Sequence, residues 1–227
     1  MNVPALMTQA SKKESAIVKR RLTALALVLL ATACSREGQL TTQGVYVTRS
    51  VCPQVGIPAA TGDITLFNPP NRTDSAALDV SAAITNLRVS CNDTGSNVVS
   101  TVTFDVVATR RDPGEARSVV LPYFSVAMQG GETVVAKRLG SVGLNFAAGS
   151  IRAQTSGQAT VQVSRAAATL PPDVRKELTR ERKADDPNAA IDPLSDPKIR
   201  DAVARATFEH LIGFQLTQEQ LRYNATR

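Results

Sequence analysis

The sequence predicts a mainly β protein: an antiparallel, Ig-like β-sandwich followed by a helical C-terminal extension. Three observations lead to this prediction. Apolar residues recur with a period of two between residues 44 and 165, turn-forming residues interrupt them roughly every ten residues, and the pattern becomes charged and helix-like after Pro171-Pro172. Short strands with one apolar face need a second sheet to cover that face, which favours a sandwich.

The strand predictions rest on alternation. Val98, Val102 and Phe104 share one parity, whereas Thr101 and Thr103 share the other. Strands are predicted in this way at 45–48, 64–67, 78–91, 98–109, 118–128, 133–139, 142–146 and 159–164.

Three local features refine these strands. The apolar parity switches near Thr85-Asn86, which predicts a bulge or a strand boundary. The turn-rich stretch 92–97 predicts a hairpin connection. Pro122 lies inside a strand pattern, and because proline donates no backbone hydrogen bond, we expect that strand to lie at a sheet edge or to be bulged.

After Pro171-Pro172 the pattern predicts a charged, largely solvated helix over 173–184, with a polar linker at 185–197. Basic residues of that helix could contact anionic lipid headgroups or an acidic partner, whereas the simpler interpretation is a solvated face. A last long helix begins with Asp196 as N-cap and Pro197 at its first position, and Gly213 fits the end. A capping box between Thr217 and Gln220 predicts a final helical turn.

The last long helix is the candidate surface for a partner. Its apolar residues recur at helical spacing, and a helix with such a face needs another surface to cover it. The predicted contact residues are Phe208, Leu211, Ile212 and Phe214. His210, the one histidine of the chain, lies on the same predicted helix, and we expect it to pack or to stabilise the helix end rather than to catalyse.

The N-terminal segment has the form of an export signal. Five basic residues between Lys12 and Arg21 precede an apolar run from Leu22 to Ala33, which is too short for the ~30 Å apolar layer of a membrane. Ala31 and Ala33 fit cleavage by an ordinary signal peptidase. Leu30-Ala-Thr-Ala-Cys34 also resembles the lipobox of bacterial lipoproteins, over residues 12–36. That resemblance implies diacylation of the Cys34 thiol, and Ser35 after it implies transfer to the outer membrane.

The cysteine count agrees with lipidation. Three cysteines in an exported protein leave one that is not in an intramolecular disulfide. If Cys34 carries lipid, Cys52 and Cys91 remain as a pair that can form a disulfide in an oxidising compartment, or as two buried thiols.

The charge gives no evidence for a nucleic-acid partner. The whole chain has a formal charge of +6, but most of this excess lies in the first 33 residues. A near-neutral mature chain lacks the clustered basic surface with stacking aromatics that nucleic acids need. We also expect no metal, no cofactor and no catalytic residue, because no motif spacing indicates one.

The expected organisation is a signal peptide at 1–33, a tether at 34–43, a β-sandwich domain at 44–168 and a helical C-terminal region at 169–227. The expected function is that of a lipid-anchored cell-envelope protein, a non-catalytic binding or assembly module on the periplasmic face of the outer membrane, with an envelope protein as possible partner. Secretion into the periplasm is the alternative location. The alternative function is an exported hydrolase or small-ligand-binding protein with a carboxylate-based site.

Overall fold

The computed structural model describes residues 39–41, 44–46, 50–180 and 191–226, with side chains from Ser50 onward. The chain divides into two compact units, Met1–Arg49 and Ser50–Arg227. In the first unit, strands β1 (Gln39–Thr41) and β2 (Gly44–Tyr46) pair antiparallel, and β2 overlaps the strand predicted at 45–48. The predicted signal peptide and the predicted lipidation site, Cys34, lie outside the described residues.

The second unit contains two four-stranded sheets. Its described strands are β3 (Gln54–Gly56), β4 (Asp63–Phe67), β5 (Leu78–Asn92), β6 (Asn97–Arg110), β7 (Arg117–Gln129), β8 (Thr133–Phe146), β9 (Arg152–Ser164) and β10 (Phe208–Phe214). Sheet I has the order β3-β10-β7-β8, and sheet II has the order β4-β5-β6-β9. Neighbouring strands are antiparallel except for β3 and β10, which are parallel. The chain is therefore mainly β with antiparallel sheets.

The inner faces of the two sheets share one hydrophobic core. Phe104 on β6 of sheet II, and Leu121 and Phe214 of sheet I, belong to the same cluster of buried side chains. A second cluster lies at one end of the sheets, where Cys52 and Cys91 pack against buried residues of both sheets. We call this the disulfide end.

The predicted irregularity near Thr85-Asn86 is confirmed as a bulge. The register between β5 and β6 shifts between Thr85 and Arg88, and Asn86 has a φ of 54°. This left-handed conformation is one that asparagine tolerates better than most residues. The bulge keeps one strand continuous while the apolar parity changes.

Of the two alternatives predicted for the strand that contains Pro122, the edge position is wrong and the bulge is confirmed. β7 lies between β10 and β8, and its register shifts between Ala127 and Met128. Proline is tolerated because β10 ends opposite Tyr123, one residue away. The Pro122 carbonyl still accepts a hydrogen bond from the Gln215 N–H, so the side of Pro122 that lacks a donor faces the end of β10.

Two predicted strands, 133–139 and 142–146, form the single strand β8. Gly140 lies between them and faces the ring of Tyr123, in space that a side chain would need. Gly140 therefore allows an aromatic ring to lie against the backbone of one continuous strand.

The C-terminal region contributes helices α1 (Arg165–Ala168), α2 (Pro172–Leu178), α3 (Pro197–Arg205) and α4 (Gln218–Thr226). Val174 of α2 packs with Ile199 and Ala202 of α3 in a small separate cluster. α2 covers the first part of the helix predicted at 173–184, and residues 181–190 lie outside the described chain. The predicted Asp196 cap is confirmed, because its carboxylate accepts the Lys198 N–H at 2.8 Å.

The prediction that this last long helix continues to Gly213 is wrong. α3 ends at Arg205, and the segment from Phe208 to Phe214 is strand β10 in the interior of sheet I. Phe208, His210, Ile212 and Phe214 all point into the core and are buried. Burial of these four alternating side chains between β3 and β7 stabilises the strand more than helix propensity would stabilise another turn.

Candidate functional site

The structure joins Cys52 and Cys91 in a disulfide with Cα atoms 6.2 Å apart. The bond connects the start of the second unit, just before β3, to the end of β5. It closes the loop of chain that contains β3, β4 and most of β5. The pair left open by the cysteine count is therefore oxidised in this structure.

The residues predicted to form a partner-contact helix do not form an exposed surface. Phe208, Ile212 and Phe214 are buried, and Leu211 is partly buried on the opposite face of β10. The apolar surface that covers them belongs to this chain, namely the inner face of the two-sheet core. The sequence signal for this arrangement was the period-two alternation from Phe208 to Phe214, which overlaps a helical spacing.

The same strand places His210 in a polar layer between the sheets. His210 is fully buried, and its Nδ1 lies 3.1 Å from Ser100 Oγ on β6, whereas its Nε2 lies 2.9 Å from Ser125 Oγ on β7. Burial lowers the pKa of His210 to about 4, so the ring is uncharged at neutral pH. One imidazole thus connects sheet I to sheet II.

Ser125 and His210 have the spacing of a nucleophile and its base, and Ser125 adjoins a cavity of about 210 Å³. The backbone around the serine does not suit that chemistry. Ser125 lies in the middle of β7, paired with Arg138 on one side and Ile212 on the other, so neighbouring N–H groups are engaged in the sheet. A nucleophilic serine needs free donors for the oxyanion that forms. The arrangement therefore suits packing and orientation of β10.

The outer face of sheet II forms an open groove with a volume of about 670 Å³. Ile64, Ala82 and Ala108 point inward to the core. The residues directly before and after them therefore point outward, onto this face. Two neighbouring rows of paired residues cross the groove. One row is Thr65, Ser81, Thr109 and Arg152, and the other is Asp63, Ala83, Val107 and Gln154.

The composition of the groove suits a polar ligand. Its floor is made of short side chains, and Arg152 and Gln154 on the edge strand β9 are exposed. Within residues 50–180 and 191–226, neither the guanidinium of Arg152 nor the amide of Gln154 makes a hydrogen bond or ion pair. Both groups are available to a ligand that accepts hydrogen bonds or carries a negative charge.

Asp105 lies two residues from Val107 on the same face, next to the bulge. Its carboxylate accepts hydrogen bonds from Asn86 Nδ2 at 2.6 Å and Ser156 Oγ at 2.8 Å, and Arg88 lies 3.3 Å away. The hydrogen bond from Asn86 and then that from Ser156 hold the pKa of Asp105 below its usual range. The bulge brings Asn86 to this carboxylate, so Asp105 is a stable anion beside the groove.

Arg110 is a buried cation that no sequence motif singled out. Its guanidinium donates to the carbonyls of Ser150, Glu115, Gly114 and Ala147, and it lies 5.4 Å from the centre of the Phe146 ring. These contacts connect the β6–β7 and β8–β9 loops at the end of the sheets opposite the disulfide. Arg110 therefore fixes one end of the groove strand β6.

Across the described residues, no group of three or more His, Cys, Asp or Glu side chains could hold a metal ion. None of the helices described is both long and apolar enough to cross a bilayer.

The fold and the groove define the class of molecule: two packed β-sheets with an open polar groove on one outer face. No protein-family model, curated protein or solved structure matches this chain.

Proposed function

We propose that the chain is an exported lipoprotein of the bacterial cell envelope, anchored through the Cys34 thiol, whose folded unit is a binding module. The observation that carries this proposal is the basic segment, the apolar run and the small residues that directly precede Cys34. Ser35 favours the outer membrane, with the folded unit on its periplasmic face.

The disulfide supports export. Disulfides form and persist in oxidising compartments, and the Cys52–Cys91 bond accounts for two of the three cysteines. Cys34 is then the cysteine left for another use, which is the outcome expected of a lipid attachment site.

The two sheets support an Ig-like sandwich as the architecture of this module. The chain passes from sheet I to sheet II after β3, crosses to sheet I after β6, returns after β8, and crosses again before β10. Such a fold carries no function by itself. The proposed binding role therefore depends on the groove in sheet II. Arg152 and Gln154 favour a polar ligand or an envelope protein as its occupant.

Metabolic labelling with a clickable fatty acid tests the anchor. We expect label on the wild-type chain and none on Cys34→Ala, because the thiol is the acceptor. The variant Cys52→Ala with Cys91→Ala is the matched control and keeps the label, since it removes cysteines without removing the acceptor. Equal absence of label from wild type and Cys34→Ala contradicts the proposal.

Photo-crosslinking in cells tests the groove. A crosslinking amino acid at Gln154, inside the groove, is compared with one at Gln162, which is exposed on the same strand outside it. We expect adducts from position 154 that Arg152→Glu suppresses, because the guanidinium is the proposed contact. Equal crosslinking from both positions would show that the groove does not select a ligand.

A further inference from the structure

The outer faces of the two sheets differ in character. On sheet II the outward rows around the groove are mostly polar, with Thr, Ser, Asp, Gln and Arg side chains beside Ala83 and Val107. On β7 and β8 of sheet I, the outward residues include Val120 and Leu139, both 66% exposed, and Val134, 54% exposed. Pro122 and Phe124 lie on the same face, which we call the β7–β8 outer face.

This face is continuous along the strands. Leu139 pairs with Phe124, and Val134 pairs with Met128, whereas the intervening residues Leu121 and Ala127 point into the core. The apolar side chains therefore run from Val120 at one end to Val134 near the turn at the disulfide end. A contiguous exposed apolar patch is typical of an interaction site, whereas single exposed apolar residues are ordinary.

The folded unit begins at the same end of the sheets as Val134. Val51 and Cys52 pack beside Ala127 and Phe208, and Ala127 directly precedes Met128, the partner of Val134. The chain between Cys34 and Ser50 can span at most ~55 Å when fully extended. A lipid on Cys34 therefore keeps the start of this unit within that distance of the bilayer. The start of the unit lies near one end of the β7–β8 outer face.

A cation lies over the middle of this face. Lys137 Nζ is 5.5 Å from the centre of the Phe124 ring. The next residue, Arg138, pairs with the inward-facing Ser125 and so lies on the other face of the sheet. In the part of the chain that the structure describes, Lys137 forms no ion pair with a carboxylate. Glu132 and Glu209 lie toward the disulfide end, so Lys137 is not neutralised at the centre of the face.

We propose that the β7–β8 outer face lies against the lipid surface to which Cys34 tethers the chain. Val120, Val134 and Leu139 enter the boundary between headgroups and acyl chains, and Lys137 contacts an anionic headgroup. This inference rests on the lipid anchor proposed above. The anchor raises the local concentration of the face at the membrane, so a weak intrinsic affinity is sufficient. The polar groove on sheet II then faces away from the lipid, open to its ligand.

Co-sedimentation with vesicles tests the face without the anchor. The mature chain from residue 34, with Cys34→Ser, is mixed with vesicles of phosphatidylethanolamine and phosphatidylglycerol, or of phosphatidylcholine alone. We expect binding to the anionic vesicles to be several-fold stronger. Equal binding to both would overturn the role of Lys137.

Paired substitutions test which face binds. Val134→Asp with Leu139→Asp should lower the bound fraction roughly tenfold, because two aliphatic contacts are lost and two negative charges are added. The matched control is Ser90→Asp with Gln162→Asp, which adds the same charge at exposed positions on the outer face of sheet II, outside the groove. It should bind nearly as wild type does. Melting curves verify that each variant is folded. If the variant with both Val134→Asp and Leu139→Asp does not fold, the single variant Leu139→Asp is tested in its place.

Three outcomes overturn the proposal. The first is no sedimentation of the chain with wild-type faces at millimolar lipid. The second is an equal loss of vesicle binding in both pairs of variants. The third is a dimer in solution that only the Val134/Leu139 pair converts to monomer, without any change in vesicle binding. The last outcome would assign the face to a second copy of the chain. Because the protein used here carries no lipid, these results are separate from the acyl-labelling result that decides the anchor.

Discussion

His210 shows how one residue makes stability depend on pH. The imidazole is uncharged in the folded state because burial lowers its pKa to about 4, whereas in the unfolded chain the ordinary value is about 6.5. Between these values the unfolded state binds the proton and the folded state does not. Stability contributed by His210 is therefore complete above about pH 6.5 and is lost as the pH falls toward 4.

The prediction is a pH-dependent gap between wild type and His210→Gln. Glutamine keeps hydrogen-bonding capacity but does not titrate. We expect the difference in unfolding free energy to shrink by about 3 kcal/mol between pH 7.5 and pH 4. Urea unfolding across that range measures it. Carboxylates that titrate in the same pH range affect the stability of both proteins equally, so they cancel in the difference. A difference in unfolding free energy that stays constant with pH contradicts the predicted role of His210.

Gly157 is a second residue with a specific packing role. It lies on β9 opposite Phe104, and a Cβ there would overlap the ring of that buried phenylalanine. We expect Gly157→Ala to destabilise the fold by about 1–3 kcal/mol through overpacking. Gly143 on β8 has no atom near the same position, so Gly143→Ala is the control and should be nearly neutral. Thermal unfolding compares the two, and equal effects would contradict the close contact.

At the scale of elements, the disulfide connects β5 to the segment before β3. β3 is three residues long and lies at the edge of sheet I, so few hydrogen bonds hold it. The Cys52–Cys91 bond, with a sequence separation of 39, limits the freedom of this segment in the unfolded chain. The chain-entropy model gives about 4 kcal/mol for a loop of this length.

We therefore expect Cys52→Ala with Cys91→Ala to lose several kcal/mol of unfolding free energy. Urea unfolding measures the loss, and wild-type protein unfolded in the presence of reductant serves as the control, since it should approach the variant. Identical midpoints for oxidised and reduced wild type would show that the bond adds no stability.

Most strands could be predicted from the sequence because their alternation is local. The stretch from Asn97 to Arg110 shows it clearly, and the bulge near Asn86 was visible as a parity change. The capped start of α3 was likewise local, since Asp196 and Pro197 act within one turn. These features depend on residues close together in the chain.

β10 could not be assigned in this way because its stabilising partners are distant in sequence. The segment from Phe208 to Phe214 fits both a helical and a period-two spacing, and it follows a real helix. The strand is distinguished from a helix only by its position between β3 and β7, with Ser100 and Ser125 on either side of His210. The groove was missed for the same reason, because four strands supply its residues and no local motif joins them.

For the whole molecule, the C-terminal region completes the fold. β10 pairs with β3 on one side and β7 on the other, and it contributes Phe208, Ile212 and Phe214 to the core. α4 makes smaller contacts: Tyr223 packs edge-on against Phe67, and Asn224 Nδ2 donates to the carbonyls of Ala60 and Asp63.

Two truncations of the mature chain separate these roles. A chain that ends at Thr207 lacks β10, so β3 loses its partner, β7 has an unpaired edge, and core side chains are removed. We expect no cooperative unfolding transition from it, since the loss of three large buried side chains alone costs about 6–15 kcal/mol, as much as a typical domain's stability. A chain that ends at Leu216 keeps β10 and loses α4 only, and it should remain folded with a modestly lower midpoint.

A synthetic peptide of residues 207–227 added to the shorter chain should restore the transition, because β10 folds by pairing with β3 and β7. A cooperative transition for the chain ending at Thr207 would mean that the two-sheet core does not need β10, and that the segment is free to bind elsewhere.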